Sequence, residues 1–214
     1  MSFRGLTLRE AWRFSRSPLK FAIAMVLKLI AFKGSITRLP TYTGECECDM
    51  NSISAIDHES FFLEVHAATE LGYTDGRFHT VSESFNPKFV DGYAFVALHV
   101  DKKRRIFIGG IRNRTISGIS YTLATSGSLS TAESDDIDFV NHRFYLDAPS
   151  PSIRIRIDKK GIVALDQAMI AYMKDKDVVA FPGFAEMKHH GDQVSDRVFE
   201  SRIERGLFVY VQSG

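Results

Sequence analysis

Cysteine is almost missing from this chain, since only Cys46 and Cys48 occur among its 214 residues. Two cysteines exclude a scaffold built from disulfides, and a structural zinc site would need a second pair of ligands that the sequence does not supply. We interpret residues 44–49 as a short edge strand with its cysteines turned inward and its acids outward. No metal ion is expected here.

The common catalytic and nucleotide-binding motifs are also missing. The sequence has no glycine-rich phosphate loop, no Gly-x-Ser-x-Gly elbow, no His-Glu-x-x-His and no dinucleotide fingerprint. A site assembled from scattered residues is still compatible with these absences. We assign no catalytic residue and no cofactor, and we lean away from an enzyme.

A large net charge is missing as well, because the formal charge is only +1. Residues 1–40, however, hold eight Lys or Arg and one acid, Glu10, a net +7 that leaves −6 for the remainder. The acidic remainder of the chain would repel the phosphate backbone of a nucleic acid, whereas the basic residues 1–40 would be attracted to an anionic lipid surface. We therefore expect contact with a membrane surface or bilayer, and no nucleic-acid partner.

One long hydrophobic run is present, SPLKFAIAMVLKLIAFKG at residues 17–34. Ser17 and Pro18 are typical of a helix start, and Gly34 is typical of a helix end, which predicts a helix over 18–33. Thr7 and Glu10 have the spacing of a capping box, which predicts a shorter helix over 8–17. Pro18 should kink the pair.

The run can be interpreted in several ways. From Leu19 to Phe32 it has fourteen residues, interrupted by Lys28, whereas a bilayer core needs about 20. No small-x-small cleavage pattern follows it. A short span, a helix lying on the membrane, a helix packed on the domain and a cleaved signal all stay open.

Contact with a membrane would involve the basic residues of the first helix and the apolar residues of the run. Arg9, Arg13, Arg16 and Lys20 share one face if the two helices are roughly continuous. The predicted membrane-contact residues are Arg9, Arg13, Arg16, Lys20, Phe21, Ile23, Met25, Leu27, Leu29, Ile30 and Phe32.

The rest of the chain predicts an α+β fold. Residues 35–56 read as a linker, and Asp57 as the N-cap of a helix that Gly72 ends. Strands are predicted at 89–100, 105–111, 115–125, 128–133, 139–146, 152–158 and 207–211, with turns at 101–104 and 125–128, and helices at 161–174 and 192–205. The predicted fold is a mostly antiparallel β-meander sheet covered by two or three helices, plus an N-terminal hydrophobic helix. Domain bounds are 1–34, 35–56 and 57–214.

Several features follow one another along the chain in a recognisable order. They are a helix ending in Leu71-Gly72-Tyr73, the segments YTLAT at 121–125 and STAES at 130–134, and strand 152–158 leading into helix 161–174. This order resembles a group of uncharacterised bacterial proteins, in which a hydrophobic N-terminal helix precedes a small α+β domain. The resemblance covers residues 57–176 and implies a fold without implying an activity.

Several groups of polar residues are candidates for a functional site. His66 and Glu70 stand one helical turn apart, adjacent His189 and His190 should point apart, and His99 is expected to be a hydrogen-bonded core or rim histidine. The acidic residues at 134–138 lack the glycine and glutamate of a calcium loop. The basic residues Lys102, Lys103, Arg104, Arg105, Arg112, Arg114, Arg154 and Arg156 lack interleaved aromatics for nucleic-acid binding.

Three functions follow from these patterns. The first is a non-catalytic, membrane-associated accessory or interaction protein, whose protein partner the sequence does not identify; its alternative location is the cytoplasm. The second is a soluble domain that binds an apolar small molecule or lipid between the sheet and helix 161–174. Its predicted lining is Phe89, Tyr93, Phe95, Phe107 and Tyr121. The third and weakest is a metal-dependent enzyme that uses His66, Glu70 or residues 189–192.

Overall fold

A computed structural model describes residues 5–15, 17–29, 46–80, 89–132, 136–141, 152–158 and 160–207. The helices within these ranges are α1 (Leu8–Ser15), α2 (Pro18–Leu29), α3 (Glu59–Glu70), α4 (Ile162–Met173) and α5 (Phe184–Glu204). The strands are β1 (Cys46–Cys48), β2 (Tyr73–Thr80), β3 (Phe89–His99), β4 (Arg105–Thr115), β5 (Gly118–Leu129), β6 (Ile137–Val140) and β7 (Ile153–Arg156). A short 3₁₀ turn follows β1 at Met50–Ser52.

The strands form one sheet in which each strand lies beside the next in sequence, from β1 to β7. Every pair is antiparallel except β6 with β7, which is parallel. The predicted α+β class with a mostly antiparallel meander is thereby confirmed. Short connections suit antiparallel neighbours, whereas the parallel pair requires a longer crossover between Val140 and Ile153.

The two faces of the sheet are covered by different helices. Along β3, Phe95 and Ala97 point to the face that α3 and α4 cover, and Val96 and Leu98 point to the opposite face. The larger core lies on the first face, where Phe61 of α3 and Leu165 of α4 are fully buried. The start of α5 covers the second face with Phe184 and Met187, which join Leu98 and Phe181 in a smaller cluster.

Two glycines of β4 leave room for large side chains that pack directly against the strand. A Cβ at Gly110 would lie 2.2 Å from the hydroxyl oxygen of Tyr121, and one at Gly109 would lie 2.8 Å from the Phe107 ring. The β3–β4 register is regular here. A glycine pair in a strand indicates either a β-bulge or a position where another group packs closely against the backbone. In β4 the glycines allow close packing, and there is no bulge at this point.

Several predicted boundaries were wrong. The turn predicted at 125–128 and the start of a separate strand at 128 are wrong, because residues 125–128 lie inside the unbroken strand β5. Strand β2 was not predicted, since Asp75, Gly76 and Arg77 interrupt its apolar pattern. Helix α5 begins at Phe184 instead of residue 192.

The start of α3, the turn between β3 and β4 and the strand at 152–158 can be compared with the predictions residue by residue. The N-cap of α3 is His58, not Asp57, and its side chain makes no capping hydrogen bond. The turn between β3 and β4 is confirmed, with Lys102 at φ 63°. Only part of the apolar side of 152–158 is covered, because Ile153 is exposed whereas Ile155 and Ile157 pack on the core. Residues 142–146 and 208–211 of two predicted strands lie outside the described residues.

Candidate membrane-contact surface

Helices α1 and α2 begin at caps that their sequences encode. The N–H of Thr7 donates to Oε2 of Glu10 at 2.7 Å, and the N–H of Glu10 donates to Oγ1 of Thr7 at 3.1 Å, which completes the predicted capping box. The N–H of Lys20 donates to Oγ of Ser17 at 3.3 Å, directly before Pro18 opens α2. The predicted starts of both helices are thereby confirmed.

The two helices fold back on each other as a hairpin, which we call the α1–α2 hairpin (Leu8–Leu29). The Trp12 and Phe21 rings meet edge to face with centroids 5.1 Å apart. Near the end of α2, Nζ of Lys28 donates to the carbonyl oxygen of Leu6 at 2.6 Å. Because α2 turns back, the condition for one continuous basic face across Arg9, Arg13, Arg16 and Lys20 is not met.

One side of α2 presents apolar side chains to solvent. Leu19 is 73% exposed and Leu29 is 80% exposed, and Ile23 and Val26 lie between them. These positions follow one another at intervals of four, three and three residues, so they share a helical face. All exposed residues of α2 except Lys20 are apolar: Pro18, Leu19, Ala22, Ile23, Val26 and Leu29.

Helix α1 extends this surface. Leu8 and Trp12 stand one turn apart and are both exposed, Trp12 by 54%. Exposed cationic side chains border the apolar area, Arg9 on α1 and Lys20 on α2. We call the combined area the apolar face of the hairpin; it consists of Leu8, Trp12, Pro18, Leu19, Ala22, Ile23, Val26 and Leu29.

The opposite side of the hairpin is docked on the domain. Glu10 and Ala11 of α1 are buried, as is Ala24 of α2. Arg205, just after α5, donates to the carbonyl oxygen of Gly5 at 3.0 Å and contacts the carboxylate of Glu10. The hairpin is thus fixed to the domain on one side and apolar on the other.

The predicted membrane-contact residues divide into three groups. Arg9, Lys20, Ile23 and Leu29 are exposed; Arg13, Phe21, Met25 and Leu27 are half-buried; and Arg16, Ile30 and Phe32 lie outside the described residues. Sequence reasoning missed Leu8, Trp12, Leu19 and Val26. The recurrence of apolar residues at helical spacing could have identified them, had each residue been assigned to a face.

No helix within the described part of the chain has the length and apolar character that a membrane crossing requires.

The aromatics that were expected to line one ligand cavity are distributed over both faces of the sheet. Phe95 is buried against Phe78, with ring centroids 4.9 Å apart. Tyr93 and Tyr121 flank His58 at centroid distances of 5.0 and 5.5 Å. Phe107 pairs with Val96 and therefore lies on the opposite face, where it is 39% exposed. This distribution does not support a common lining.

A buried polar cluster joins α4 to the sheet. The hydroxyl of Tyr73 donates to Oδ1 of Asp166 at 2.6 Å, and the guanidinium of Arg104 contacts the same oxygen. Nε of Arg104 also donates to Oδ2 of Asp101 at 2.8 Å. Burial raises the pKa of Tyr73 far above its usual range, and the Asp166 carboxylate adds to the shift. His99 borders the cluster, with Nε2 2.9 Å from the Leu71 carbonyl oxygen, as expected for a core histidine.

A second polar cluster anchors the start of α3. Nε2 of His58 lies 3.2 Å from Oδ1 of Asp91, and Nε of Arg112 donates to the same oxygen at 2.7 Å. Arg112 also reaches Asp57 at 2.6 Å. Hydrogen bonds from Arg112 lower the pKa of Asp91, against the effect of burial. The polar groups of both clusters find most of their hydrogen-bond partners within the cluster. This indicates that the clusters hold helices and strands of the domain together.

The metal-site candidates do not converge. His66 and Glu70 lie 3.3 Å apart on an exposed helix face. Nε2 of His189 lies 3.1 Å from the side-chain nitrogen of Gln193, whereas Nε2 of His190 lies 3.2 Å from Oγ of Ser130, so the adjacent histidines point apart. Across the described residues, no three His, Cys, Asp or Glu side chains form a group that could hold a metal ion.

Comparison with known proteins gives no relative to argue from. No family model, curated protein or solved structure matches this chain. The resemblance drawn from residues 57–176 therefore stays a prediction.

Proposed function

We propose that this chain is a membrane-associated accessory or interaction protein, whose α1–α2 hairpin docks on an anionic membrane surface and displays the α+β domain there. The observation that carries the proposal is the row of exposed apolar residues on α2, from Leu19 to Leu29. Contiguous exposed apolar areas of this kind commonly mark contact sites.

The length of α2 favours a helix lying in the plane of the membrane. Twelve residues extend about 18 Å at 1.5 Å per residue, less than the roughly 30 Å of a hydrocarbon core. A helix with one apolar face and cationic borders inserts that face at the level of the acyl-chain boundary. We therefore propose insertion of one face only, with the helix axis parallel to the surface.

The energies involved are sufficient for reversible attachment. Full burial of one large apolar side chain contributes about 1.5–3 kcal/mol, and partial insertion of several contributes a fraction of that each. A basic side chain near an anionic surface contributes about 1 kcal/mol. Arg9 and Lys20 border the apolar face, and residues 1–40 carry a net +7. This complementarity is why an anionic membrane is proposed as the occupant.

The experiment is flotation of the full chain with phosphatidylcholine vesicles, with and without phosphatidylglycerol. We expect the wild type to float with the anionic vesicles and the double variant Ile23→Asn/Val26→Asn to stay behind, with an affinity at least about tenfold weaker. The control is Leu63→Asn, because Leu63 is at least as exposed as Ile23 and Val26 but lies on α3.

Two results would contradict the proposal. One is a wild type that does not float with anionic vesicles, and the other is a double variant that floats as well as the wild type. A second copy of the chain is the competing occupant of the apolar face. Sedimentation velocity identifies it, through a wild-type dimer that the double variant dissociates while vesicle binding is absent.

A further inference from the structure

The end of α5 meets the start of the chain at a contact that we call the terminal joint (Gly5, Glu10, Arg205, Gly206 and Leu207). The N–H of Gly206 donates to the Ile203 carbonyl oxygen at 2.8 Å, and the N–H of Leu207 donates to the Arg202 carbonyl oxygen at 2.9 Å. With Gly206 at φ 66°, these two bonds form a Schellman motif. The local sequence therefore fixes the backbone of Arg205 at the end of the helix.

Arg205 connects this helix end to the hairpin. Its Nε and Nη2 donate to the carbonyl oxygen of Gly5 at 3.3 and 3.0 Å, and Nη2 also contacts Oε2 of Glu10. The same oxygen of Glu10 accepts the N–H of Thr7 in the capping box that begins α1. Arg205 therefore binds both the segment that precedes α1 and the acid that caps its first turn.

Close packing accompanies these hydrogen bonds. A Cβ at Gly5 would lie 2.2 Å from the carbonyl oxygen of Arg205 and 2.9 Å from Cγ of Leu207. Leu6 and Leu207 are almost fully buried, and the side chain of Glu10 is completely buried. Any side chain at position 5 would therefore push the start of the hairpin away from the end of α5.

The helices of the hairpin are short, so contact with the domain matters for their stability. They have eight and twelve residues, and isolated helices shorter than about 12–15 residues are only marginally stable in water. Among the side chains of α1 and α2 that the structure describes, the buried apolar ones, Ala11 and Ala24, are small. Docking at the terminal joint therefore helps to keep both helices formed before any membrane is present.

We propose that Arg205 is a positioning residue for membrane binding, because it holds the hairpin folded and so assembles the apolar face in advance. A face that is already ordered loses less conformational freedom on binding than a segment that folds on the membrane. Arg205 raises the affinity in this way without belonging to the apolar face. The membrane step rests on the proposed function, whereas the folding of the hairpin can be measured without vesicles.

Single substitutions in the full chain test this inference. Arg205→Gln removes the guanidinium from Gly5 and Glu10, and Gly5→Val opens the same joint without changing any charge. Arg197→Gln is the matched control, because it removes an exposed arginine of the same helix and lowers the net charge equally. A difference between the two arginine variants therefore reports the joint and not the loss of attraction to an anionic surface.

Hydrogen exchange without vesicles measures the folding of the hairpin. We expect the amides of α1 and α2 to exchange at least about tenfold faster in Arg205→Gln and Gly5→Val, since hydrogen bonds to a charged group are lost or displaced. The strands of the sheet should keep their wild-type rates, which shows that the domain is still folded. Arg205→Lys keeps the charge beside Glu10 but loses the planar fork, so its exchange should be intermediate.

Flotation and circular dichroism with phosphatidylglycerol vesicles measure the membrane step. The wild type and Arg197→Gln should bind with little change in helix content. Arg205→Gln and Gly5→Val should gain helix on binding, and their affinity should be weaker by about fivefold or more, because part of the binding energy then folds the hairpin. Damage to the domain alone would not be repaired by vesicles, so the gain of helix identifies a positioning role.

Wild-type exchange rates in α1 and α2 of both joint variants, Arg205→Gln and Gly5→Val, would overturn the inference. If the wild type floats and both joint variants float equally well without gaining helix, the proposed function stands and this inference fails. If the wild type does not float, the proposed function fails and the membrane role of Arg205 fails with it, even where exchange shows that the terminal joint holds the hairpin.

Discussion

Helices α2 and α4 have the same length and similarly apolar sequences, PLKFAIAMVLKL and IVALDQAMIAYM, yet they occupy opposite environments. Helix α4 buries Ile162, Leu165 and Met169 on the sheet. Helix α2 buries only Ala24 and exposes Leu19, Ile23, Val26 and Leu29. The apolar content of a helix therefore does not decide whether its apolar side chains are buried against the sheet.

The polar residues of the two helices explain part of the difference. The single acid of α4, Asp166, is buried and binds Tyr73 and Arg104 beneath the helix, which fixes its rotation and position on the sheet. The lysines of α2 lie in other environments. Lys20 is exposed, and Nζ of Lys28 donates to the carbonyl oxygen of Leu6 at the edge of the hairpin. The apolar face of α2 itself carries no polar side chain that could bind the domain.

The largest effect is expected from Asp166→Ala. Removing Asp166 takes away the acceptor of the Tyr73 hydroxyl and of Nη1 of Arg104, although Nε of Arg104 keeps Asp101. Loss of one partner of a buried ion pair should lower the free energy of unfolding by about 3–5 kcal/mol. Urea denaturation followed by circular dichroism measures this loss. Asp192→Ala is the control, because Asp192 forms an exposed pair with Lys188, and such pairs contribute about 0–1 kcal/mol. Equal effects of the two substitutions would show that Asp166 does not anchor α4.

Truncation of leucines gives the most direct contrast between the helices. Leu165→Ala should cost about 2–5 kcal/mol of unfolding free energy, because it leaves a cavity in a closed core. Leu19→Ala in α2 should change stability by no more than about 0.5 kcal/mol, as for an exposed site. The same denaturation experiment measures both. A loss above 2 kcal/mol for Leu19→Ala would mean that α2 is covered in solution.

Low pH should lower the free energy of unfolding of the domain, because Asp101 becomes protonated. Burial works to raise the pKa of Asp101, but hydrogen bonds from the N–H groups of Lys103 and Arg104 and from the Arg104 guanidinium hold it at about 2. Since this pKa is below the unfolded value of 3.8, the contribution is complete above about pH 4 and is lost as the pH falls through 2. The loss amounts to about 2 kcal/mol.

Urea titrations at successive pH values measure this dependence, and Asp101→Asn should flatten it between pH 4 and 2. Asp136 does not contribute in this window, because burial raises its pKa to about 7. An unchanged acid slope in Asp101→Asn would show that other carboxylates dominate.

The smallest effect is expected from Lys20→Gln. Loss of one cation at the border of the apolar face should weaken binding to anionic vesicles by about 1 kcal/mol, or roughly fivefold, and high salt should remove the difference. Lys188→Gln on α5 is the matched control for total charge. If both variants bind equally, the charge that matters is that of the whole protein and not that of the hairpin.

The sequence was most informative where structure is decided locally. The capping box of Thr7 and Glu10, the start at Ser17-Pro18 and the helix 161–174 depend on neighbours within four residues, and each agrees with the structure. The meander was also predictable, because sequential antiparallel strands need only short turns.

Features that depend on distant residues were not predictable in this way. The pairing of Asp91 with His58 and Arg112 joins positions 33 and 21 residues apart, and Asp166 meets Tyr73 from 93 residues away. Strand β2 has a weak pattern of its own and exists because β1 and β3 pair with both of its edges. Which side of α2 is exposed likewise depends on how the hairpin docks on Arg205.

The only tryptophan of the chain, Trp12, stands on the apolar face of the hairpin beside Phe21. Its fluorescence is therefore an intrinsic probe of that face. Transfer from water to a lipid environment should move its emission to shorter wavelength, without any attached dye. Because the α+β domain contains no tryptophan, the same signal says little about the sheet, so one optical channel follows docking while far-ultraviolet dichroism follows unfolding.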